Sequence, residues 1–206
     1  MPISIASAQK AYSFDIGDDK NGFELFEAKT EFEKYGDKFK KTVAKLAEQR
    51  GVVDTGKVAG DCQFIINEAG NQMLIYMPDY YDFPNEGVKG KDSSKNAPKS
   101  PYKFKSYGMS ADGRKSIKSY IQRGRAKIET VRKSNDKALG IGREKKHLSL
   151  IDRQTEQLVY MIKKYGIKAT HYFTDAINQV FGKEFELKMS EALGRDIVFT
   201  LEKINK

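Results

Sequence analysis

The chain has 206 residues, 39% of them hydrophobic and 11% aromatic, enough apolar material to bury one core and too much for a wholly disordered polypeptide. Its 37 Lys and Arg against 28 Asp and Glu leave a net charge of +9, which favours acidic partners such as nucleic acid and equally suits a lysine-rich, well-solvated surface. One cysteine and two histidines exclude an internal disulfide framework and the usual structural zinc site.

Residues 1–23 mix short apolar pairs with Gly17, Asp18, Asp19, Asn21 and Gly22, a composition that reads as an N-terminal arm ordering on assembly. Met1-Pro-Ile-Ser-Ile-Ala offers no basic n-region or long apolar run, so no secretory signal is expected. From residue 24 to 206 a single α+β domain is expected. Leu25, Ala28, Phe32, Tyr35, Phe39, Val43 and Leu46 recur at steps of three and four, which places them on one face of a long amphipathic helix that Gly51 ends. After the Val52-Val53-Asp54-Thr55-Gly56 bend, Cys62 to Glu68 and Gln72 to Met77 read as a β-hairpin turning at Glu68-Ala69-Gly70-Asn71.

Tyr80, Tyr81 and Phe83 lead into Pro84-Asn85-Glu86-Gly87-Val88-Lys89-Gly90 and the polar stretch to Ser100, expected as an extended mobile loop over about 84–101. Tyr102 to Tyr107 is expected to return as a short strand. Ser110 caps a helix with Ile117, Ile121, Ile128 and Val131 on one side and Arg114, Lys115, Lys118, Arg123, Arg125, Lys127, Arg132 and Lys133 outward. Ser134 to His147 reads as a second loop. Ser149 and Asp152 then resemble a capping box opening a helix that Gly166 stops after Tyr165. Thr170 is expected to cap a helix bearing Phe173, Ala176, Ile177, Val180 and Phe181. Glu184 to Leu193 is one more helical piece, Gly194 breaks it, and Ile197 to Ile204 alternates like a closing strand.

No catalytic, cofactor or metal site is expected, so the chain is read as a non-enzyme. Asp54-Thr55-Gly56, with Gly140-Ile-Gly142-Arg143 downstream, has the triplet of aspartic proteases, which bring two aspartates together to share a proton. Those proteases are compact β-structures, whereas a long helix precedes the triplet here and Lys57 replaces a small residue, so a tight turn is the better reading. Gly140-Ile-Gly142 lacks the third glycine and the strand-to-helix setting of a dinucleotide fingerprint. His171 and Asp175 lie one helical turn apart without a nucleophile beside them, and reading them as a surface pair suffices. The carboxylates Asp18, Asp19, Asp79, Asp82 and Asp175 are scattered rather than set at metal-ligand spacing. No stretch approaches the ~20 apolar residues of a membrane span, so no membrane partner is expected.

The basic clusters are the remaining candidates. Arg123, Arg125 and Lys127, with Arg143, Lys145 and Lys146, stand where backbone could let them follow phosphates without reading sequence; a solvated helix face and loop explain them equally well. No aromatic platform for stacking single strands is visible in the sequence.

Read in order, Val53-Asp54-Thr55-Gly56, Met73-Leu74-Ile75-Tyr76-Met77, Tyr80-Tyr81, Asn85 to Gly90, Ser100-Pro101-Tyr102 and Ala192-Leu193-Gly194-Arg195-Asp196-Ile197 resemble the head-tail connector and tail-completion (neck) proteins of tailed phages. The resemblance implies a long N-terminal helix packed on a small antiparallel sheet with further helices. It implies a structural virion subunit, assembled in the bacterial cytoplasm, that forms a homo-oligomeric ring between portal and tail proteins and lines or seals the passage used in DNA ejection. In that setting Pro84, Gly87, Val88, Lys89 and Gly90 are the candidate inter-subunit loop, and the basic clusters the candidate contacts to double-stranded DNA. The alternative is a nonspecific nucleic-acid-binding protein acting in phage replication or packaging.

Overall fold

The computed structural model describes residues 8–15, 25–52, 61–124 and 149–204. The chain is α+β, as expected, and divides into two compact units, Met1–Asn85 with Thr170–Lys206, and Glu86–Ala169. Segment 86–169, which falls inside the span read from the sequence as one α+β domain, is the second of these units.

In the first unit, strands β1 (Ala8–Asp15), β2 (Gln63–Ile66) and β3 (Gln72–Pro78) form an antiparallel sheet in the order β1-β3-β2. The hairpin places Ile66 opposite Met73 and Gln63 opposite Tyr76. β3 alternates as a half-buried strand should, with Met73, Ile75 and Met77 fully buried on one face. Within the stretch read as an arm, Ala8 to Asp15 form a strand that pairs along β3, with an irregularity between Lys10 and Tyr12; as the edge strand of the sheet it satisfies the backbone groups on its β3 side.

Helix α1 (Phe26–Gln49) buries Ala28, Phe32, Tyr35, Phe39, Val43 and Leu46, the same stripe that the spacing predicts. It packs on the sheet and on two later helices, α5 (Tyr172–Val180) and α6 (Lys183–Ile204). Phe185 of α6 is the hub of the aromatic core, with ring centroids 5.3 Å from Phe14, 5.0 Å from Tyr35 and 5.1 Å from Phe181. α6 corrects the expected break at Gly194 and the strand beyond it. A helical glycine costs only about 1 kcal/mol, and the burial of Phe185, Met189 and Ala192 along the helix outweighs it.

The N-cap position of α5 is His171, in the left-handed region at φ 51°, and not Thr170. The cap is supplied from elsewhere in the chain. Buried Asn85, in the short helix α2 (Asp82–Glu86), accepts the Phe173 N–H at 3.0 Å and the Thr174 N–H at 3.3 Å on Oδ1. Thr170 Oγ1 instead donates to the Pro84 carbonyl at 2.6 Å.

In the second unit, β4 (Val88–Lys89) pairs with β5 (Gly166–Ile167), and α3 (Ala111–Gln122) packs on α4 (Leu150–Tyr165). Ser110 caps α3 by accepting the Gly113 N–H at 3.2 Å, and Ser149 caps α4 by accepting the Asp152 N–H at 3.2 Å, both as read from the sequence. Tyr102 to Tyr107 forms no strand; Lys103 makes an isolated bridge to Lys89.

Candidate functional surfaces

Gly87 to Gly90, in the stretch expected as an inter-subunit loop, form a packed corner within the second unit. Gly87, Val88 and Gly90 are buried, and a Cβ on Gly90 would lie 2.1 Å from the Lys164 carbonyl oxygen. A Cβ on Gly166, whose φ is 85°, would lie the same 2.1 Å from the Val88 carbonyl oxygen. Two glycines facing each other let the backbones approach closely enough for β4 to pair with β5. Ser100, 2% exposed, donates its hydroxyl to the Gly87 carbonyl at 2.7 Å, and Asn96 Nδ2 donates to the Gly166 carbonyl at 3.3 Å. The segment expected to be mobile is thereby tied down. Within the first unit, Pro84 offers its carbonyl to the Thr170 N–H at 3.1 Å.

The carboxylate of Asp175 does not orient His171. Asp175 forms its ion pair with Arg50, 2.6 Å away, and its backbone N–H, not its carboxylate, bonds to His171. Arg50 also donates to the Thr170 carbonyl, so it clamps the C-terminal end of α1 to the start of α5. Asp54 and Gly140-Ile-Gly142 lie outside the described residues. Among the described residues, no group of three or more His, Cys, Asp or Glu is placed to hold a metal ion, and no helix is long and apolar enough to cross a membrane. A groove of about 480 Å³ between α1 and α6 is lined by charge pairs. Glu31 meets Lys34 at 2.7 Å, Lys38 meets Glu184 at 3.5 Å, and Lys188 meets Glu191 at 2.9 Å.

Cys62 is 1% exposed, and burial pushes its thiol up to about 12. The unfolded thiol ionises near pH 8.5. The stability gained by keeping it neutral is therefore fully present below about pH 8.5 and is lost as pH rises towards the folded value. At pH 8 a thiol reagent should modify the native protein at roughly a hundredth of the rate seen in urea or less; rapid stoichiometric labelling of the native chain would contradict the burial.

The basic helix face is divided. Arg114 Nε lies 3.0 Å from Glu156, and Lys118 Nζ lies 2.6 Å from Asp152, whose carboxyl is held below its ordinary range by the bonds from Lys118 and Ser149. Expected outward, Arg114 and Lys118 instead link α3 to α4. Of the candidate DNA contacts, Arg123 is exposed at the end of α3, with Nη1 2.8 Å from Ser119 Oγ. Arg125, Lys127, Arg143, Lys145 and Lys146 lie outside the described residues.

A cluster invisible in the sequence gathers around the C-terminal half of α4. The Tyr107 and Tyr160 rings stack at 5.5 Å with a 16° interplanar angle. Lys91 stands 4.4 Å from the Tyr107 centroid, Lys163 4.0 Å from Phe104, and Lys164 5.5 Å and 5.4 Å from Tyr160 and Tyr165. Backbone bonds hold the two segments in register, Lys91 N–H to the Lys163 carbonyl at 2.8 Å and Asp92 N–H to the Lys164 carbonyl at 3.2 Å. Asp92 accepts the Tyr107 hydroxyl, which raises the phenol above its ordinary value. Burial lowers Lys163, while the bond to Tyr160 raises Lys164. Compared with protein-family models, curated proteins and solved structures, the chain matches none.

Proposed function

We propose that the chain is a structural subunit of a tailed-phage neck, forming a homo-oligomeric ring that joins the portal to the tail around the DNA passage. One observation carries the reading. The first unit sets a 24-residue helix against a three-stranded antiparallel sheet with a tight hairpin and an aromatic strand end, the architecture and order that the neck resemblance implies. Large apolar side chains left outside the core, Phe26 and Leu187 among them, supply surface for the head-to-tail contacts that close a ring.

Mass spectrometry of purified virions should find the chain in multiple copies, and particle imaging should place it between portal and tail. The purified protein should shift from monomer to a closed ring as its concentration rises. Absence from purified particles would overturn the proposal. Presence in infected cells together with that absence would favour a free nucleic-acid-binding protein instead.

A further inference from the structure

Charge is divided unevenly between the units. Residues 86–169 hold 22 Lys and Arg against 8 Asp and Glu, and the rest of the chain holds 15 against 20. The second unit is formally +14 and the first −5. Lysines spread for solubility would not segregate in this way. The whole positive balance belongs to one unit, which marks it as the part that meets a polyanion.

Within that unit two sets of cations are held differently. Arg114, Lys115 and Lys118 are each matched to a carboxylate. Lys91, Lys163 and Lys164 stand over aromatic rings, and among the described residues none of the three is in an ion pair. A ring face fixes an ammonium without cancelling its charge. These lysines are thus held in place and still available to an anion, which lowers the entropy cost of engaging one.

The rings themselves point to the kind of polyanion. Tyr107 and Tyr160 stack on each other and are topped by Lys91 and Lys164, so they position cations and do not present open faces to bases. Such a surface reads phosphates and not sequence. An acidic protein face presents sparse carboxylates, whereas duplex DNA offers one charge per ~1.7 Å of axis, the density that an excess this large matches. We propose that the lysine-and-tyrosine surface around Lys91, Lys163 and Lys164 binds the phosphate backbone of duplex DNA without regard to sequence. The proposal is independent of ring membership, since it is read on purified protein and the ring reading on particles.

The test is fluorescence anisotropy with a labelled 30-base-pair duplex across a salt series. Replacing Lys91, Lys163 and Lys164 together by Gln should weaken binding at least tenfold and flatten the slope of log K against log salt by about one per lysine. The same charge removed from the first unit, as Lys34→Gln with Lys38→Gln and Lys188→Gln, should change affinity less than about twofold. Lys164→Arg should retain binding, and circular dichroism checks that each variant folds. If the triple Gln variant unfolds, Lys164→Gln alone against Lys164→Arg carries the comparison. Equal losses in the two triple variants, or no binding by the unaltered protein at low salt, would overturn the proposal. So would a loss of self-association with DNA binding unchanged, which would assign the surface to a second copy of the chain.

Discussion

Replacing Phe39 by Ala should cost about 3–5 kcal/mol of unfolding free energy, the largest effect expected of any single truncation discussed for this protein. Phe39 is fully buried in the middle of α1. Its ring meets Phe173 of α5 edge-on at 5.7 Å and Phe181 at 5.4 Å. Truncation loses the transfer free energy of the ring and leaves a cavity where rigid aromatic neighbours cannot collapse inward. Since domains of this size keep roughly 5–15 kcal/mol in all, the variant should unfold at markedly lower urea when followed by far-UV circular dichroism. Phe39→Leu should recover more than half of the loss, because most of the volume returns. Phe26→Ala is the control. Phe26 is 68% exposed, so its truncation should shift stability by less than about 0.5 kcal/mol. A Phe39→Ala midpoint equal to that of Phe26→Ala would show that the aromatic core does not hold this unit together.

What the sequence makes legible is what is local. The α1 stripe from Ala28 to Leu46, the β2-β3 hairpin and the Ser149 cap each depend on residues within a few turns of one another, where periodicity and cap chemistry act directly. β1 was legible too. Tyr12 and Phe14 alternate, and their rings meet at 5.0 Å, a period-two signal masked by the glycines and aspartates that follow it. The corrected expectations share one cause, partners distant in sequence. Gly194 has the look of a helix breaker because the buried face that carries α6 through it is assembled against α1. Thr170 looks like a cap because nothing near it in sequence reveals Asn85, whose side chain reaches Phe173 from 88 residues away.

The candidate surface divides along the same line. Its stacked pair joins Tyr107 to Tyr160, and its backbone bonds join Lys91 and Asp92 to α4. No window of adjacent residues contains that platform. Its charge, by contrast, was countable from the start: the basic excess lies between residues 86 and 169. Charge density is a compositional property and survives without a structure, whereas the sorting of individual cations does not. Arg114 and Lys118 look as solvent-directed as Lys91 until their distances to Glu156 and Asp152 are known.

The second large effect is expected from Asp196. α1 starts without a side-chain cap of its own, since the residue before it is Leu25. Asp196, 4% exposed in α6, accepts the Glu27 N–H at 2.9 Å on one carboxylate oxygen and the Ala28 N–H at 3.0 Å on the other. A helix leaves its first N–H groups unsatisfied and carries partial positive charge at that end. One carboxylate answers both needs, and it fastens α6 to α1 while doing so. Asp196→Ala should therefore cost about 2–3 kcal/mol, the range for charge-assisted bonds whose partners are left buried. Asp196→Asn keeps one acceptor oxygen and should lose less, by roughly 1 kcal/mol. The neighbouring pair of Arg195 with Glu27, 3.3 Å apart with both side chains about half exposed, should contribute little, so Arg195→Ala should change stability by less than about 0.5 kcal/mol. Urea titrations of the three variants separate the cap from the surface pair. If Asp196→Ala proves no more destabilising than Arg195→Ala, the α1 N-terminus is held by packing alone and the carboxylate is incidental.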